Sequence, residues 1–130
     1  MGITFGLLKD RGDLESSNIW VIFNDNIREF LSLNKNVFTE NIDMLTNLDP
    51  YDNKYYYSEE VLELFRICVG LIKDLSDKDL RHLILDFRNK YGLYEHEFDM
   101  NDILEFAISL KMICELTIFN KHKILVAIGD

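Results

Sequence analysis

Ile3, Phe5 and Leu7 alternate with Thr4 and Gly6, a period of two that predicts a strand over residues 2–8. At the far end "KILVAIGD" is a continuous apolar run rich in β-branched residues and bounded by a basic turn and Gly129, which predicts a buried strand over residues 123–128. The backbone groups of both strands need partners, and pairing with each other is the simplest solution. Between them the period becomes helical. Ile19, Trp20, Phe23, Ile27, Phe30 and Leu31 recur at helical spacing behind Ser16 and Ser17 as caps, although "IWVIF" alone reads equally as a strand. Thr39 has the position of an N-cap for a short helix carrying Ile42, Leu45 and Leu48, which Asp49-Pro50 stops. Ser58 is placed to cap the next helix, with Glu59 and Glu60 in its first turn where the dipole favours carboxylates. From Val61 to Leu75 apolar residues cover most of the circumference, which predicts a central, largely buried helix. Ser76-Asp77-Lys78-Asp79 restarts the chain, and Leu80, Leu83, Ile84, Phe87 and Tyr91 form one stripe ending at Gly92. Asp99 caps a last helix over residues 100–119, again apolar nearly all round and stopped at Asn120. The expected fold is mainly α: one globular domain over residues 1–130, a bundle of about four to five helices with a small sheet pairing residues 2–8 and 123–128.

A hydrophobic content of 48% in 130 residues, 12% of them aromatic, supplies enough apolar surface for one core. The N-terminus has no basic leader and only a short apolar run, and Gly6 stands where an N-myristoylation motif requires Ser or Thr, so the expected setting is cytoplasmic with no membrane association. Cys68 and Cys114 sit inside apolar helical runs without metal-ligand spacing and read as small core residues in a reducing compartment.

The net charge of −9 is concentrated in two blocks. Residues 40–60 hold six carboxylates against Lys54, and residues 94–105 hold five with no Lys or Arg. Both blocks would repel phosphate, so direct nucleic-acid binding is not expected.

Three constellations come near to chemistry. "YEHEFDMND" gathers Glu95, His96, Glu97, Asp99 and Asp102, but in an extended segment Glu95 and Glu97 face away from His96, and no second histidine follows at i+4. Asp49, Asn53 and Glu60 fit positions 1, 5 and 12 of a calcium loop whose obligatory central glycine is replaced by Lys54. His82 has Asp79 and Asp86 at i−3 and i+4, a geometry that could tune a base, yet no nucleophile accompanies it. With no phosphate loop or nucleophile elbow either, the expectation is a protein that is not an enzyme and carries no metal or cofactor.

The stretch "DPYDNKYYYSEE" sets Tyr51, Tyr55, Tyr56 and Tyr57 among Asp49, Asp52, Glu59 and Glu60. In an extended segment Tyr55 and Tyr57 share one face and Tyr56 the other, so all three rings cannot pack inward together. Tyrosine is a frequent interface anchor, and a carboxylate rim steers a cationic partner. "KYYYSEE" resembles the binding surface of nuclease-colicin immunity proteins, in which adjacent tyrosines at a helix start are joined to acidic residues; contact-dependent-inhibition immunity proteins share the same bulk features. The resemblance covers residues 49–60. It implies an immunity protein that binds a cognate basic toxin domain, of nuclease type, and occludes its active site. The partner-binding set would be Asp49, Tyr51, Asp52, Tyr55, Tyr56, Tyr57, Glu59 and Glu60, joined by Glu95, Glu97 and Asp99. Two rival readings stand beside it: a phage-type acidic inhibitor that mimics nucleic acid, and a small metal-dependent enzyme or module using residues 94–102.

Overall fold

A computed structural model of the chain describes residues 2–8, 19–120 and 124–129. Residues 9–18, among them the expected caps Ser16 and Ser17, and residues 121–123, expected as a basic turn, lie outside the described residues. The fold is mainly α with a small antiparallel sheet. In chain order the elements are β1 (Ile3–Leu8), β2 (Trp20–Phe23), α1 (Asp25–Leu33), a 3-10 turn (Lys35–Val37), α2 (Asp43–Thr46), β3 (Asn53–Tyr56), α3 (Ser58–Asp77), α4 (Arg81–Tyr91), α5 (Met100–Phe119) and β4 (Ile124–Gly129).

The expected pairing of the terminal strands is present: β1 and β4 run antiparallel from Ile3 opposite Gly129 to Leu8 opposite Ile124. The sheet is larger than expected, however, because β2 and β3 extend it to the order β2-β1-β4-β3. The expected helix over residues 19–31 is corrected to a strand followed by a helix. Val21 and Phe23 are buried while Trp20 and Ile22 are exposed, a period of two that pairs with β1. Asn24 then takes an extended conformation, and its side chain accepts from the Ile27 N–H at 2.8 Å, so α1 begins only at Asp25. The tyrosine segment likewise forms an edge strand, with Tyr55 opposite Val126 and Tyr56 opposite Leu125. Its approach is tight: the Gly129 N–H donates to the Asp52 carbonyl at 3.1 Å, and a Cβ at Gly129 would stand 2.5 Å from the Pro50 carbonyl oxygen.

Ile3, Phe5, Leu7, Val21, Phe23, Tyr56, Leu125 and Ala127 point from the sheet into the core against α5 and α3. Phe106 of α5 stacks on Phe23 at 4.6 Å and lies 6.2 Å from Phe5. A second aromatic group, Phe30, Phe87 and Phe98 with ring centroids 4.9 to 5.6 Å apart, fastens α4 to α1.

Three caps differ from expectation. Thr39 does not cap a helix: its N–H and hydroxyl both donate to the buried Asp74 carboxylate at 2.8 Å, and these charge-assisted bonds tie the loop after α1 to the end of α3. Ser58 is the first residue of α3, and Glu60 closes the helix start by reaching back to the Tyr57 N–H at 3.4 Å. Ser76 and Asp77 belong to α3, and Asp79 instead holds Arg81 through two guanidinium bonds of 2.9 and 2.8 Å. Asp99 begins α5 in reciprocal contact with Asp102, whose carboxylate accepts from the Asp99 N–H at 2.8 Å. Gly92 ends α4 at φ +66. Among the described residues no helix is long and apolar enough to cross a membrane.

Candidate binding surface

The surface around β3 is built from the way an edge strand hands over to a helix. Strand alternation sends the Tyr56 ring into the core, where it is 2% exposed, and leaves Tyr55 half-buried on the opposite face of the sheet. Tyr57 follows at the start of α3 and is 52% exposed; Tyr51, in the preceding turn, is 69% exposed. The expectation that the rings cannot all pack inward therefore holds. Tyr56 is the one removed from the surface. Its hydroxyl is buried with no hydrogen-bond partner among the described residues, and burial pushes the phenol pKa up, with the Glu60 carboxylate and Cys114 adding to the shift.

Tyr57 stands between two clefts. On one side lies an apolar cleft of about 470 Å³ lined by Val61 and Leu62 at the start of α3, Thr117 and Ile118 at the end of α5, and Ile124. On the other lies a polar cleft of about 440 Å³ lined by Asn47, Leu48, Asp49, Asp52, Asn53, Lys54 and Tyr55. Asp49 and Asp52 are exposed, and each is oriented by a backbone bond of 2.8 Å, from the Tyr51 N–H to Asp49 and from the Asn53 N–H to Asp52. The cation of the polar cleft, Lys54, is held at 2.8 Å by Glu60 and lies over the Tyr56 ring. That ion pair also fills position 12 of the calcium-loop alignment with a carboxylate already engaged.

The expected site residues thus sort by role. Asp49, Tyr51, Asp52, Tyr55, Tyr57 and the exposed Glu59 come together around β3. Glu60 closes the start of α3 and neutralises Lys54. Asp99 begins α5 and contacts Arg88 at 3.3 Å. Glu95 and Glu97 are exposed in the turn before α5, where Glu97 accepts from the Tyr94 N–H at 3.0 Å and His96 stacks on Tyr94. Tyr57 adjoins the C-terminal end of α5, so Glu95 and Glu97, before its N-terminus, lie about a helix length from that ring, about 30 Å at 1.5 Å per residue. Leu62 and Leu48, which line the clefts, were missed by the sequence reading; the apolar density of the α3 start was the signal for Leu62.

Among the described residues no group of three or more His, Cys, Asp or Glu side chains is placed to hold a metal ion. Cys68 and Cys114 are buried neighbours on α3 and α5, and the hydrogen bond between the thiols, followed by burial, raises the Cys68 pKa. The Arg81 guanidinium holds the Asp79 carboxyl well below the usual carboxylate range. Compared with family models, curated proteins and solved structures, the chain matches none.

Proposed function

We propose that this protein is an immunity-type inhibitor that binds a basic toxin domain through the β3 surface and occludes its active site. The observation that carries the reading is the placement of Tyr57: half-exposed at the junction of β3 and α3, with an apolar cleft on one side and the oriented carboxylates Asp49 and Asp52 on the other. A ring held there is a low-entropy anchor, and the carboxylates complement a cation beside it. Among the described residues that line the polar cleft the one lysine, Lys54, is already paired with Glu60, so the described lining presents net negative charge.

Glu95 and Glu97 act in this account by steering rather than contact. Across about 30 Å their field reaches an approaching partner at 0.01 M ionic strength, where the Debye length is about 30 Å, and is screened at physiological salt, where it is about 8 Å. The tyrosines would govern dissociation and the carboxylates association.

The test is co-purification of the tagged chain with the product of the neighbouring gene, expressed as a catalytically inactivated domain. A stoichiometric complex that blocks the active domain's activity supports the reading. Failure to retain any cationic domain overturns it.

A further inference from the structure

α5 carries apolar residues around nearly its whole circumference, yet the fold covers only one side of it. Ile103, Phe106, Ala107, Leu110, Ile113 and Cys114 are buried, while Ile108, Met112, Leu116 and Phe119 are exposed by 42%, 58%, 41% and 85%. These four recur at spacings of four, four and three, which aligns them along one helix face over about 16 Å. Leu62 and Val69 on the neighbouring α3 are exposed as well, and Phe65 is half-buried beneath the Lys111 ammonium, 5.6 Å from its ring. A helix that is apolar all round is normally buried all round, and a contiguous exposed patch marks an interface.

The charges on this face select the occupant. The exposed flank of α3 carries Glu59, Glu63, Arg66, Lys73 and Asp77, and the flank of α5 carries the Lys111–Glu115 ion pair with Glu105 at its start. Three cations stand among five carboxylates, so this face is more mixed in sign than the β3 surface, where Lys54 alone stands among Asp49, Asp52, Glu59 and Glu60. The field that would draw a basic partner is therefore weaker here than at β3. Conversely, this is a face on which two copies of a strongly acidic chain can meet without opposing large negative patches.

We infer that α5 pairs with α5 of a second copy, antiparallel, about a two-fold axis at Met112. The spacing is self-complementary about that residue: Ile108 comes opposite Leu116 of the other copy, Met112 opposite its counterpart, and Lys111 within reach of the other Glu115. Such a contact is isologous and closes as a dimer. It uses the helix face and leaves Asp49, Tyr51 and Asp52 uncovered.

The test uses the full chain alone, so its outcome is independent of the proposed toxin partner. Sedimentation equilibrium at tens of micromolar should give twice the 15.4 kDa chain mass. Met112→Glu, which places two carboxylates at the axis, should give the monomer mass, whereas Leu85→Glu, at an exposed position on α4, should leave the dimer intact. Register is read by cross-linking. In Met112→Cys, diamide should take two electrons and two protons from the paired thiols to form one intermolecular disulfide, with the buried Cys68 and Cys114 unreacted. Glu105→Cys should not cross-link, because its two copies would lie about 21 Å apart along the helices. A monomer throughout, a dimer indifferent to Met112→Glu, or equal cross-linking at both positions would overturn the inference.

Discussion

Replacing Tyr56 by Phe separates the core role that the structure gives this residue from the anchor role suggested by the sequence. The ring is 2% exposed and packs 6.2 Å from Phe5, so the substitution keeps the packing and deletes only a hydroxyl that is buried without a partner among the described residues. An unpaired buried hydroxyl costs roughly 1–3 kcal/mol on protein scales, so Tyr56→Phe should stabilise the fold by about 1 kcal/mol at neutral pH. In a domain of this size that raises Tm by about 3–5 °C. The alkaline range adds a second signature. The folded-state phenol pKa is raised above its unfolded value near 10, so the native state holds the proton more tightly. The stabilisation linked to this group is complete below about pH 10 and is lost as pH rises toward the folded value, at about 1.4 kcal/mol per pH unit. The advantage of Tyr56→Phe over the parent chain should therefore widen to about 2 kcal/mol near pH 11, and taking the difference cancels the titration of other groups. Urea melts of both proteins across this range measure it directly. A variant less stable than the parent by 1 kcal/mol or more, or an advantage independent of pH, would refute the reasoning.

Asp74→Ala removes both acceptors of Thr39 from a site 4% exposed and should cost about 2–3 kcal/mol, read as a fall in urea midpoint at unchanged m; a loss below about 1 kcal/mol would remove this clamp from the account. Gly92→Ala forces a Cβ into the left-handed region at φ +66, where no atom of the described residues approaches within 4 Å, so the expected penalty of about 1 kcal/mol is conformational and should appear in the same melts. Cys68 and Cys114 are fully buried, and the Cys68 thiol is pushed toward its neutral form, so both should resist a disulfide-exchange reagent in buffer at pH 8 and react at once in strong denaturant. Rapid native labelling would contradict the burial.

The readable parts of the fold are those where local pattern and tertiary demand agree. The terminal strands, the Gly92 stop and the span of α5 follow from periodicity and capping that the surrounding structure leaves undisturbed. The run "IWVIF" misleads because Ile19, Trp20 and Phe23 fit a helical spacing locally, while the free edge of β1 makes alternation the better use of the same residues. Thr39 misleads for a similar reason, since Asp74 is distant in sequence and only the fold brings that carboxylate to it. At the candidate surface, the alternation of Tyr55, Tyr56 and Tyr57 is local and was legible; which ring points inward depends on which face of β4 covers the core. The distance of Glu95 and Glu97 from Tyr57 depends on the length and direction of α5, which composition does not encode.

The central claim, that the β3 surface captures a basic protein domain with Tyr57 as its anchor, is tested most directly by binding kinetics on the co-purified complex. Tyr57→Ala should accelerate dissociation by about 30-fold, the equivalent of about 2 kcal/mol, with association nearly unchanged. Asp49→Asn with Asp52→Asn keeps the turn-forming oxygens and should slow association at low ionic strength, an effect that shrinks at physiological salt. A complex whose two rate constants are indifferent to both sets of substitutions would contradict the account.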